Sequence, residues 1–262
     1  MMTGMQGAYV TLVAGLSGLV WGSFLNVLVY RVPRGLSIVH PGSACPTCGT
    51  PIRAADNVPV VSYLVLGGRC RKCRKGISPE YPLVELATGL MFAGSVAVLP
   101  SVWQAAFVAP FLGLMLAFAL IDLRHKIIPN SIVLPSLAVF AAAALVLDLA
   151  GAPVSATGAL YGMLAYGGGL FLIALVAPGG MGMGDVKLAA LIGLVLGGLG
   201  LRYVAVAAGL GILAGGVGGV VALARGRGRK EAIPFGPYLA AGAVAATFIG
   251  PAVASWYTGF LH

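Results

Sequence analysis

The chain alternates long apolar runs with short polar breaks. A helix needs about 20 apolar residues to cross the hydrocarbon core of a bilayer. On that scale the pattern predicts eight spans, at about Ala8–Tyr30, Tyr81–Leu99, Val102–Ile121, Ile128–Val146, Ala156–Ala177, Gly184–Gly200, Tyr203–Ala224 and Phe235–Trp256. The last is open to extension toward the chain end. The sixth is the shortest, because only residues 188–201 are uncharged after Lys187. Residues 31–79 break the rhythm as one long polar segment. The expected organisation is a first transmembrane helix over 1–30, a loop domain over 31–79 and a seven-helix membrane domain over 80–262.

Composition supports this all-α, polytopic membrane architecture. Of 262 residues, 59% are hydrophobic and 9% charged, with a mean hydropathy of +0.99. A soluble domain carries roughly 25% charged residues. The 40 glycines suit close helix packing in lipid. The net charge of +9 reads as topology rather than affinity for nucleic acid, since basic residues collect on the cytoplasmic side. No basic residue precedes Arg31, so the N-terminus lacks the positive region of a secretory signal peptide. The first span is read as a retained helix with its N-terminus outside. The cytoplasmic segments are then 31–79, 122–130, 178–187 and 225–231. They hold eight, two, one and four basic residues, which leaves only Arg202 of the 16 outside.

The polar loop contains all four cysteines, as Cys45-Pro-Thr-Cys48 and Cys70-Arg-Lys-Cys73 with 21 residues between the pairs. Two such knuckles read as a structural, four-thiolate zinc site. Free or redox-active thiols are the alternative, but stable disulfides are rare in the reducing cytoplasm. Four thiolates leave zinc no open position, so the expected role is to hold a loop too small for a good core. The basic residues around Cys70 and Cys73 are either a solvated face or a contact for anionic membrane lipid.

Charge scarcity singles out two acids. Residues 86–121 are uncharged before Asp122, and residues 149–184 are uncharged before Asp185. An ionisable group in such a setting is costly and is a functional candidate by default. Each alone also reads as structural. Asp122 is positioned to cap a helix end and pair with Arg124 or Lys126. Asp185 is positioned to pair with Lys187 or to favour a helix N-terminus. The topology puts both at cytoplasmic helix ends, where a pair becomes a chemical unit. Two carboxyls held close cannot both ionise easily. The ionised one activates a water, and the protonated one serves the scissile carbonyl and then the leaving amine. Gly182 and Gly184 would let an extended substrate approach, and Ile128-Pro129 interrupts helix nearby.

At these residues the chain resembles the bifunctional type IV prepilin peptidases, the leader peptidase/N-methyltransferases. The resemblance runs through Gly22-Ser-Phe-Leu-Asn-Val-Leu-Val-Tyr-Arg-Val-Pro33, the four cysteines and Tyr81-Pro-Leu-Val-Glu-Leu-Ala-Thr-Gly89. It continues through Ile121-Asp-Leu-Arg-His-Lys-Ile-Ile-Pro129, Gly182-Met-Gly-Asp-Val-Lys-Leu188 and Pro234-Phe-Gly-Pro-Tyr238. It implies a bacterial inner-membrane aspartic endopeptidase of the GxGD type, with Asp122 and Asp185 catalytic. Such enzymes cut the leader from type IV prepilins and type II secretion pseudopilins after a glycine on the cytoplasmic face. Bifunctional members then N-methylate the new terminus with S-adenosylmethionine. The cysteine loop is what places this chain with that group. Met183 stands where many members have a third glycine, outside the GxGD requirement. No soluble nucleotide-binding domain is visible, and the methyl-donor residues stay unassigned. Glu85 and Lys187 are candidate accessory residues, with charge pairing at helix ends the favoured reading.

A transporter using Asp122 and Asp185 as an ion or proton site is the alternative from another class. It predicts related repeats in the two halves, none of which is evident, and gives no reason for the cysteine loop. A non-enzymatic zinc-bearing assembly factor would be indifferent to loss of either aspartate.

Overall fold

The computed structural model describes residues 4–176, 181–225 and 234–259. Among them the structure is helical, with two isolated β-bridges and no strand. The helices are α1 (Gly4–Arg31), α2 (Val61–Val65), α3 (Glu80–Val98), α4 (Val102–His125), α5 (Asn130–Leu149), α6 (Ala156–Met163), α7 (Gly169–Val176), α8 (Met183–Leu199), α9 (Leu201–Ala224) and α10 (Gly236–Gly259). A π-turn over Leu164–Gly168 joins α6 and α7 into one rod. Among the described residues, six stretches are long and apolar enough to cross a membrane: α1, α3, α4, α5, the α6–α7 rod and most of α9.

The observed helices follow the predicted runs, with instructive shifts. The fourth predicted span began at Ile128, but α5 starts at Asn130 after Pro129. Proline disfavours helical geometry at the residue before it. The π-turn and the five-residue α2 were not predicted. Parts of several sequence readings lie outside the described residues: 1–3 of the first segment, 177 at the end of the fifth span, 178–180 of the loop before Met181, 226–231 of the basic run, and any helix beyond Gly259.

The chain forms two compact units, one up to Ala97 and one from Val98 onward. In the first, α1 and α3 approach backbone to backbone. A Cβ on Gly18 would lie 2.8 Å from Cα of Gly89, and one on Gly22 would lie 2.6 Å from Cα of Glu85. Only glycine permits that spacing, the small-residue contact expected of helices in lipid. Asn26 strengthens it by donating from Nδ2 to the Tyr81 carbonyl at 3.1 Å.

In the second unit α4 and α8 form the centre. Phe111, Leu112, Met115, Phe118 and Ile121 of α4 are fully buried, as are Leu188, Leu191, Ile192 and Leu196 of α8. A helix this apolar on all sides belongs inside a bundle. Ser101 and Ser155 cap α4 and α6 by accepting from Trp103 N and Gly158 N. The α6–α7 rod runs antiparallel to α8, with Gly158, Gly162 and Gly167 meeting Gly197, Gly193 and Ala190 in turn. α10 packs on α9 and on α4. α8, with 17 residues, is about 25 Å long.

Candidate active site and metal centre

Three helix ends and one loop build the acidic site. Asp122 lies in the last turn of α4, which stops where Lys126 adopts a left-handed conformation (φ 54°) and its N–H donates to the Asp122 carbonyl at 2.9 Å. The Asp122 side chain is buried, 4% exposed. Its Oδ2 accepts a hydrogen bond from the Gly236 amide at 2.9 Å, across 114 positions of sequence. That amide belongs to the first turn of α10, where helical N–H groups have no partner of their own. A Cβ on Gly236 would stand 2.8 Å from Oδ2 of Asp122 and 3.1 Å from Cδ1 of Ile128. Glycine is therefore required there by the closeness of the carboxylate.

Asp185 lies in the first turn of α8, with Gly182 as its N-cap. Its amide donates to the Gly182 carbonyl at 3.0 Å, and its carboxyl is half-buried. A helix N-terminus favours a negative side chain. Ile128, in the loop between α4 and α5, fits between the two glycine-bearing turns. Its Cβ would be 3.0 Å from a Cβ on Gly184, while its Cδ1 faces Gly236. Ile128 ties the turn that carries Asp185 to the turn that holds the Asp122 carboxylate. The structure thus brings Asp122 and Asp185 to one end of the bundle. Gly184 serves packing against Ile128, whereas Gly182 stays exposed.

Two expected charge pairings resolve differently. Lys187 donates from Nζ to Oδ1 of Asn130 at 2.8 Å, tying α8 to the start of α5 rather than to Asp185. Glu85, 8% exposed, accepts at Oε2 from the Val60 amide at 2.8 Å. Val60 has φ 62° and ψ −50°, an outlying conformation for a β-branched residue. Glu85 therefore anchors the turn into α2.

Sequence reasoning missed the roles of Gly236 and Asn130, and read Ile128 only as part of the break after α4. Gly236 had a visible signal in Pro234-Phe-Gly-Pro-Tyr238, a glycine flanked by prolines at a helix start, where proline is tolerated.

The four cysteines converge. Their Sγ atoms all lie within 4.8 Å of one another, and Cys45 and Cys73 are 3.8 Å apart. A tetrahedron with zinc–sulfur bonds of about 2.3 Å has edges of about 3.8 Å, so the cluster fits a zinc ion. The two knuckles repeat one hydrogen-bond scheme. Cys45 N donates to Thr50 O at 2.9 Å and Gly49 N to Cys45 O at 2.8 Å. Cys70 N donates to Lys75 O at 2.9 Å and Arg74 N to Cys70 O at 3.0 Å. Gly49 and Arg74 both turn with positive φ, 66° and 57°. The Thr50 hydroxyl, helped by backbone hydrogen bonding, holds the Cys48 thiol down at about 6, toward the thiolate that binds metals. Outside the cluster, Arg71 forks onto Asp56 with a shortest contact of 2.6 Å.

Comparison with known proteins identifies the family. Residues 16–99 match the bacterial peptidase A24 N-terminal domain, and residues 109–220 match the type IV leader peptidase family. A prepilin leader peptidase/N-methyltransferase of Burkholderia pseudomallei (strain 1026b) is 38% identical over 281 aligned residues, covering 95% of this chain and 87% of its own. The protein of the same description in Pseudomonas aeruginosa is 36% identical, covering 94% of this chain and 92% of its own. That of Bacillus subtilis (strain 168) is 35% identical, with 92% and 94% covered. No solved structure matches the chain. With relatives this similar along nearly its full length, the chain belongs to the type IV leader peptidase family.

Proposed function

We propose that this protein removes the leader peptide of type IV prepilins or type II secretion pseudopilins, cutting after a glycine at the cytoplasmic membrane surface, and then methylates the new N-terminus. The observation that carries the protease half is the meeting of Asp122 and Asp185 from α4 and α8 beside the Gly236 amide. One carboxylate takes a proton from water as the water oxygen bonds to the scissile carbonyl carbon. The other carboxyl, protonated, gives its proton to the carbonyl oxygen. Collapse of the tetrahedral intermediate breaks the C–N bond, and the leaving amine takes up a proton. The Gly236 amide and Ile128 fix the Asp122 carboxylate throughout. The cytoplasmic placement is supported by the topology expected from the sequence, which assigns 15 of the 16 basic residues to the same side as both acids.

Cys45, Cys48, Cys70 and Cys73 would hold a zinc ion that staples the 31–79 loop as a domain. With all four positions filled by thiolates, its role is structural. S-adenosylmethionine supplies the methyl group. A cavity of about 510 Å3 beside Asp148, Gly158 and Gly200 does not fit that donor's task. It lies about 18 Å along α8 from Asp185, at the end away from the acids, so no methyl-transfer step is derived from it.

Purified protein with a prepilin and labelled methyl donor tests the reading. Asp122→Asn and Asp185→Asn are each expected to lower leader removal by at least about 100-fold, while methylation of pre-cleaved pilin persists. Normal cleavage by either variant would sink the dyad.

A further inference from the structure

Helix α2 turns its apolar side outward. Val61, Leu64 and Val65 lie at i, i+3 and i+4, one face of a helical turn, and are 54%, 70% and 75% exposed. The other side of the helix serves the loop. Ser62 donates from Oγ to the Val58 carbonyl at 2.8 Å, and a Cβ on Gly68 would lie 3.0 Å from the ring of Tyr63. Packing within the loop therefore leaves the aliphatic face uncovered. An exposed apolar cluster with polar residues around it marks a contact surface.

The depth of α2 shows what covers that face. α1 ends at Arg31 and α3 begins at Glu80, so the loop leaves and re-enters the membrane on one side. With 19 residues, α3 is about 28 Å long, and nearly all of it is needed to cross a hydrocarbon core of about 30 Å. Glu85 lies five residues, about 8 Å, from the start of α3. Helical side chains lean toward the N-terminus, and Glu85 meets the Val60 amide at 2.8 Å. That bond holds the first turn of α2 level with the outermost turns of α3, where headgroups give way to acyl chains. The second knuckle lies at the same surface. Gly68 N donates to Tyr63 O at 2.8 Å and Ile77 N to Gly68 O at 2.7 Å, so the knuckle follows α2 directly. Ile77 is three residues before α3, a reach of about 10 Å at most. Arg69, Lys72, Arg74 and Lys75 on this knuckle are all exposed. Residues 53–75 hold six basic residues against one acid, Asp56, and stay cationic even when four thiolates close on a divalent metal.

We propose that α2 is an interfacial anchor: Val61, Leu64 and Val65 sink into the leaflet on the loop's own side, and the basic second knuckle takes anionic lipid headgroups. Burial of apolar area and attraction to anionic lipid are the two contributions that bind an amphipathic segment to a bilayer. The cysteine loop is thereby held against the membrane, and the Glu85–Val60 bond sets how deep its anchor reaches. No pilin takes part, so the proposal stands or falls separately from the leader-peptidase reading.

The test places a fluorescent residue at Val65 of the full chain in vesicles of phosphatidylcholine and phosphatidylglycerol. A label at Leu64 repeats the measurement, and one at Leu90, ten residues into α3 and 65% exposed, is the reference within the bilayer. Lipids brominated high on the acyl chain are expected to remove at least about half of the Val65 emission. Lipids brominated near the chain end should quench Leu90 more than Val65. Quenching of Val65 and Leu64 by iodide in the water, with none by lipid, overturns the proposal. So does protection from both quenchers, which would mean that protein covers the face. Lipid quenching at Val65 is expected to grow with the phosphatidylglycerol fraction at low salt. That dependence should vanish at about 1 M salt, where the Debye length is about 3 Å. Arg69→Gln combined with Lys72→Gln and Lys75→Gln should abolish it at low salt as well. Equal quenching at every lipid composition would overturn the headgroup contact.

Discussion

A methyl group on Gly236 would fall 2.8 Å from Oδ2 of Asp122 and 3.1 Å from Ile128. The atom that must yield is a carboxylate oxygen at the end of a short side chain, so relief costs little packing but turns the acid out of place. Gly236→Ala is therefore expected to cut leader cleavage by at least about tenfold while shifting the melting temperature little. Equal losses of activity and stability would contradict that account. The two acids were legible in the sequence because charge is so scarce around them. Their partner was not, because the bond between Asp122 and Gly236 joins residues 114 positions apart, and nothing local marks an amide as a carboxylate's donor. Lys187 shows the opposite failure. Proximity in sequence suggested Asp185, but in the first turn of α8 its long side chain reaches Asn130 of α5 instead.

The helices themselves were largely legible, since long apolar runs leave the chain few other choices in lipid. What the pattern did not carry was local deviation. Leu164–Gly168 is uncharged throughout and gives no hint that one turn widens to a π-turn. α2 is five residues long, too short for any periodicity to show. Its placement depends on α3, through the buried Glu85 that holds the Val60 amide. Glu85→Ala leaves that amide without its acceptor at a strained residue and is expected to destabilise the first unit by about 1–3 kcal/mol. Glu85→Gln keeps an acceptor oxygen and should lose much less. Hydrogen exchange at Val60, fast in the alanine variant and protected in the glutamine variant, checks the assignment. Equal protection in both would refute it.

For the molecule as a whole, the 31–79 loop and the membrane helices draw on different sources of stability. The loop exposes Val58, Val61, Leu64 and Val65, and its knuckles hold their shape through turns and thiolates rather than a core. A zinc ion held by the four cysteines would then supply a large share of its folding free energy. Cys45→Ser combined with Cys70→Ser is expected to abolish bound zinc and leave the 31–79 segment open to protease, with the helices of the second unit still resistant. Metal analysis and limited proteolysis measure both effects, and full zinc content in the double variant would exclude the site.

The length of α8 has a further consequence. At about 25 Å it is roughly 5 Å shorter than a typical hydrocarbon core, yet Asp185 in its first turn would need water for the proposed hydrolysis. Bilayer thickness therefore becomes a control on the reaction. A thin membrane leaves the acid at the surface. A thick one must dimple inward around it, at a cost that grows with each ångström of hydrophobic mismatch. Cleavage measured across vesicles of increasing acyl-chain length should be fastest in the thinner bilayers and decline as the chains lengthen. A rate indifferent to lipid length would show that the surrounding helices alone keep the aspartate wet.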